Sequence, residues 1–176
     1  MVDDTDNFFV DLINKCKGKN KKGDRSNRLI YNADIGHAKI AVGAILDVAI
    51  EDGADVRIMT DSLRKDFYSD SELVSKVKQV LARQRKVEII VLDKGATLDG
   101  NDFAEAVIAD TKNGAILYGD GEVSAPHFIV VGDRVFRLET DHNETKATIC
   151  FNNESMGGCL FAEFNRLKDI LAPKQH

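Results

Sequence analysis

The chain has 176 residues, 43% hydrophobic and 30% charged, which suits one domain of ordinary size with a buried core. Its 24 Lys and Arg against 29 Asp and Glu give a net charge of -5, excluding a broadly basic, nucleic-acid-coating protein though not a local basic patch. Three Cys without C-x-x-C spacing argue against a disulfide framework or a structural zinc site, and a reducing cytoplasm is the expected compartment.

The first residues are acidic, without the basic start and apolar core of a signal peptide. Residues 3–16 are predicted to be a helix, with Phe8, Phe9, Leu12, Ile13 and Cys16 at helical spacing. A polar loop from Lys17 to Asn27 carries Lys17, Lys19, Lys21, Lys22 and Arg25. It reads as a solvated connector or, more sharply, as a phosphate-attracting flap. Residues 28–32 form a strand candidate. Asp34 then caps an Ala-, Ile-, Leu- and Val-rich helix that Gly53 ends. The apolar stretch within it, Ala38 to Ile50, is broken by Lys39 and Asp47, so no membrane span is expected.

Residues 55–60 are predicted as a strand, 69–85 as a helix, 87–92 as a buried strand, 99–113 as a helix and 115–118 as a short strand. His127 to Val131 and Val135 to Glu139 read as a hairpin around Gly132-Asp133, residues 146–151 as a strand, and Glu154 to Leu171 as the last helix. This order predicts an α/β fold: a mixed, mostly parallel sheet with helices on both faces. No internal boundary interrupts it. Residues 1–27 form an N-terminal helix and basic loop on a core of 28–171.

No phosphate-cradling glycine loop and no serine-hydrolase elbow is present. His37 reads as a polar residue at a helix start, which leaves His127 and His142 as candidates. The polar residues concentrate between Pro126 and Asn153. Arg137, Glu139 and Asp141 alternate, so one face of a strand carries all three. A His is a competent acid, base or nucleophile toward phosphorus, an Arg fork matches phosphate, and a carboxylate orients an imidazole. Register decides whether they meet. A two-residue turn pairs His127 with Leu138 and puts it on the opposite face from the charges. A three-residue loop, Gly132 to Arg134, pairs His127 with Glu139 and puts them together.

On these residues the chain resembles one half of the phospholipase D superfamily, whose signature is H-x-K-x4-D on a strand, followed by a strand, an N-x-E element and a helix. His127 opens such a strand, and Asn152-Asn153-Glu154 resembles the N-x-E element before the last helix. The lysine position is Ile129, and the aspartate position is Arg134, with Asp133 one residue short. The resemblance implies a phosphodiesterase acting on nucleic acid or a nucleotide through a phosphohistidine. His127 and Glu139 would be catalytic, Arg137 and Asn152 phosphate-binding, and Glu154 and Asp141 supporting, with no metal or cofactor. It also implies a homodimer that pairs two His127 residues near a two-fold axis. The missing lysine favours an alternative, a catalytically inactive dimeric binding or sensing module on the same fold. An unrelated α/β protein is the third reading.

Overall fold

A computed structural model describes residues 4–119, 121, 123–141 and 146–171. Its seven described strands are β1 (Ile30–Asn32), β2 (Val56–Thr60), β3 (Val87–Val91), β4 (Gly114–Tyr118), β5 (Phe128–Val131), β6 (Val135–Asp141) and β7 (Lys146–Cys150). They form one mixed sheet in the order β1-β7-β6-β5-β2-β3-β4. The helices are α1 (Asp4–Lys17), α2 (Ile35–Asp52), α3 (Lys65–Tyr68), α4 (Ser71–Ala82), α5 (Asp102–Ala109) and α6 (Glu154–Leu171). Among the described residues, no helix is long and apolar enough to cross a membrane.

The helices begin and end where side chains satisfy or divert the backbone. Asp34 accepts from the His37 N–H at 2.8 Å, and Gly53 adopts the left-handed conformation that terminates α2. Asp70 caps α4 and Asn101 caps α5. The helix predicted over 99–113 shrinks to Asp102–Ala109. The Asp110 carboxylate accepts from the N–H groups of Lys112 and Asn113, a local turn that competes with further helix. The short α3 escapes periodicity altogether.

Strand direction organises the molecule. The β2–β3 and β3–β4 ladders are parallel and the other four antiparallel. It follows that β1, β2, β3, β4 and β6 all point the same way, while β5 and β7 run back between them. The carboxyl ends of five strands and the amino ends of β5 and β7 therefore share one rim of the sheet.

Both faces are covered. On one, α2 lies between the sheet, α1 and α4, so Ala41, Val42, Ile45, Leu46 and Val48 are buried around nearly its whole circumference. Ile58, Ile89, Ile129, Val131, Val135 and Ile149 meet it from the strands. On the other face, α6 brings Leu160, Phe164 and Leu167 onto Phe128, Val130, Phe136 and Cys150. An ionic tether adds to that contact. Lys168 of α6 bonds the buried Glu88 of β3, Arg57 of β2 lies 3.6 Å from Glu88, and the Arg57 guanidinium sits 4.3 Å from the Phe161 ring centroid.

The start of α6 also touches the β5–β6 turn. A Cβ on Gly157 would stand 2.3 Å from the Asp133 carbonyl oxygen, and the Asn153 N–H donates to the Arg134 carbonyl at 2.9 Å. Only a glycine permits so close an approach of helix and turn.

Candidate active site

The β5–β6 hairpin has the three-residue turn. Val131 pairs with Val135, Ile129 with Arg137 and Phe128 with Leu138. One step further, the Glu139 N–H donates to the His127 carbonyl at 2.9 Å. With side chains alternating along each strand, His127, Arg137 and Glu139 fall on the α2 side of the sheet, at the rim where five strands end.

The charged groups there interlock. His127 Nδ1 lies 3.3 Å from Glu139 Oε2, and Arg137 donates from its guanidinium to Glu139 Oε1 at 2.8 Å. Arg137 Nε donates to Asn32 Oδ1 at 3.3 Å, which reaches the site from the carboxyl end of β1. His127 Nε2 lies 2.8 Å from Oδ1 of Asp61, the residue that follows β2. Arg137 is only 4% exposed. Burial by itself pushes the His127 pKa down, but Glu139 and Asp61, one on each ring nitrogen, outweigh it and hold the pKa above its ordinary value.

Around this chain Thr60, Ser62, Arg64, Phe67 and Tyr68 line a narrow cavity of about 30 Å³. That volume holds a water or two. Arg64 is tied to Asp66, with nitrogen–oxygen distances of 3.2 and 2.6 Å. Burial pushes the Tyr68 hydroxyl well above its ordinary range, so it stays a neutral donor. Among the described residues, no group of three or more His, Cys, Asp or Glu is arranged to hold a metal ion.

Three of the residues expected in the site stand elsewhere. Asn152 and Glu154 follow β7, which runs against β6 and so ends at the opposite rim. Asn152 donates there to the Arg25 carbonyl at 3.3 Å, and Glu154 lies 3.6 Å from Arg134. The four residues of β5 separate them from His127 by about 13 Å of strand. The N-x-E spacing carries no information about the rim a strand delivers it to. Asp141 is exposed, and the pairing register shifts between Glu139 and Asp141, so two-residue alternation no longer places it beside Glu139. His142 lies outside the described residues. His37 is buried at the start of α2, stacked on Phe9 with ring centroids 4.1 Å apart.

The basic loop is also at the opposite rim, and acids of α2 neutralise much of it. Lys17 bonds Asp47 at 2.8 Å, Lys19 bonds Asp52 at 2.7 Å, and Arg25 bonds both Glu51 and Asp52. It is a structural clasp and not a flap over His127. A cleft of about 240 Å³ lies at this rim, lined by Lys19, Arg25, Asp52, Arg134 and Asn152 among others.

Asp61 and Asn32 are the residues that sequence reasoning misses. Each stands at or just past the carboxyl end of a predicted strand, where open α/β sheets gather their ligands, and that position was the available signal.

No family model matches the chain, and no curated protein does. Several solved structures are similar to it, two of which follow. One is a phospholipase D family member, Nuc, from Salmonella typhimurium, at a TM-score of 0.57 and 15% identity over 81% of this chain and 93% of that one. The other is polyphosphate kinase from Porphyromonas gingivalis, at a TM-score of 0.57 and 14% identity over 84% of this chain and 27% of that one. With its mixed seven-stranded sheet between helices, this chain has the phospholipase D-like fold.

Proposed function

We propose that the protein is a divergent phospholipase D-like phosphodiesterase acting on nucleic acid or a nucleotide, with His127 as the reacting group. The observation that carries this reading is the continuous chain Asn32–Arg137–Glu139–His127 at the carboxyl rim of the sheet. Glu139 fixes the ring through Nδ1, so the reacting nitrogen is Nε2, on the side where Asp61 stands. Arg137, from the strand beside Ile129, supplies the positive charge that the absent motif lysine would give.

One His127 serves one half of such a reaction, so the reading includes a homodimer with two His127 residues at a shared site. One imidazole is neutral at Nε2 and attacks phosphorus, forming the P–N bond as the P–O ester bond breaks. The leaving oxygen takes a proton from the partner's His127. Water then attacks the phosphohistidine, returns a proton to the partner's His127 and restores the first imidazole.

The test is hydrolysis of bis-p-nitrophenyl phosphate, single-stranded DNA and RNA by the wild type and His127→Ala, with molar mass measured by light scattering. The expected result is a dimer whose hydrolysis falls at least about a hundredfold in the variant, the usual yield of an acid, base or nucleophile. Activity that survives the substitution would overturn the assignment.

A second reading has its own support. Ile129 is 2% exposed within the core, and Asp61 occupies the outer nitrogen of His127. Both suit a catalytically inactive binding or sensing module on this fold. Anion binding at His127 with no turnover of any diester would favour it.

A further inference from the structure

Asp61 is not a loop residue that has drifted against His127. Its carbonyl accepts from the Asp93 N–H at 3.0 Å, and the preceding Thr60 carbonyl accepts from the Leu92 N–H at 2.8 Å. Two backbone bonds from the residues that follow β3 therefore hold Asp61 just past the end of the β2–β3 ladder. Beyond it, Thr60 Oγ1 donates to the Ser62 carbonyl at 3.0 Å, and the buried Asn101 amide donates to the Leu63 carbonyl at 2.6 Å. The backbone on both sides of Asp61 is pinned, so its carboxylate is built into position 2.8 Å from Nε2.

That position has a chemical meaning. Glu139 takes Nδ1, so a phosphoryl group must approach the ring from the Nε2 side. The Asp61 carboxylate, half-exposed at 47%, already fills that side with a negative charge. Among the described residues, an incoming anion meets His127 and Arg137 against Asp61 and Glu139, with Arg64 held by Asp66. Of these, Asp61 is the carboxylate at the Nε2 approach, and its charge penalises each added negative charge on a ligand there.

From this we infer that Asp61 is a specificity-determining residue that selects monoanionic phosphodiesters over dianionic phosphomonoesters at His127. The inference rests on the phosphodiester reading of the same site. Its physical basis is the square law of a single repulsion: a carboxylate that weakens a monoanion by some factor weakens a dianion at the same place by about the square of that factor.

The experiment titrates the full chain with dimethyl phosphate, a monoanion, and sulfate, a tetrahedral dianion, following the His127 Cε1–H resonance. At pH 5.5 both ligands keep those charges and the imidazole is protonated. In Asp61→Asn, dimethyl phosphate is expected to bind about threefold more tightly and sulfate about tenfold more tightly than in the wild type. Asp61→Ser, which also removes the ring contact, is expected to shift the preference the same way. A sulfate-to-diester ratio unchanged in both variants, weaker binding of both anions, or no response of His127 to either one would overturn the inference. The ratio is read without turnover. A shifted ratio in a protein that hydrolyses no diester retires the phosphodiesterase reading and leaves the charge selection by Asp61 standing. Hydrolysis lost in His127→Ala with an unshifted ratio does the reverse.

Discussion

His127 and Glu139 face each other across the β5–β6 pair and are joined twice. The Glu139 N–H donates to the His127 carbonyl at 2.9 Å, and Glu139 Oε2 lies 3.3 Å from His127 Nδ1. The backbone bond sets the distance at which the side chains meet, so the orientation of the imidazole follows from strand pairing and not from loop conformation. With Asp61 on Nε2, both ring nitrogens end on carboxylates.

This pairing predicts a pH signature. The folded-state pKa of His127 lies above its ordinary value of about 6.5. Its contribution to stability is therefore fully present below about pH 6.5 and is lost as pH rises through the folded pKa. Urea midpoints of the wild type and His127→Gln should differ most at pH 5.5 and converge in the alkaline range. Parallel curves would mean that the imidazole is not held by its carboxylates.

Arg137→Met should destabilise the fold by about 3 kcal/mol, because it leaves Asn32 and Glu139 each short of a cationic partner at a mostly buried place. Urea unfolding measures the loss. Arg137→Lys keeps the charge but not the fork, and should cost about 1–2 kcal/mol.

Restoring the motif lysine should fail. Ile129 is buried and stands opposite Arg137 in the ladder. In Ile129→Lys a second cation enters the core beside the first, at a cost of about 3–5 kcal/mol. A variant as stable as the wild type, with improved diester hydrolysis, would show that the lysine position is open to the site.

Much of the α/β order is legible in the sequence because the signals are local. The Asp34 cap, the left-handed Gly53 and the helical period of residues 154–171 each act within a few positions. The Arg137–Glu139 alternation is legible for the same reason. The hairpin register is not, since two- and three-residue turns fit the same residues, and the three-residue turn packs against α6, far along the chain. Asp61 and Asn32 join His127 only through strand order, from 66 and 95 residues away by number. Asn152 and Glu154 are misplaced for the complementary reason: closeness in sequence to the site strands says nothing about which end of the sheet a residue occupies.

Gly157→Ala tests the contact with α6. The added methyl would meet the Asp133 carbonyl at 2.3 Å, so turn and helix must separate, at a cost of about 2–3 kcal/mol. A one-residue slip of the turn would carry His127 to the other face of the sheet. The expected result is a lower urea midpoint together with a displaced His127 resonance, although the substitution lies at the opposite rim. Stability and resonance both unchanged would place the control of register elsewhere.

The clasp at the far rim has a kinetic consequence. Lys17, Lys19 and Arg25 spend their charge on α2, and the chain as a whole carries -5. Little long-range attraction remains to draw a polyanion toward the His127 rim, so encounter relies on unassisted diffusion against a weakly repulsive field. Added salt screens that repulsion. Moderate ionic strength should therefore leave capture of an oligonucleotide unchanged or hasten it, the reverse of the steep slowing seen where a protein meets nucleic acid through a basic surface.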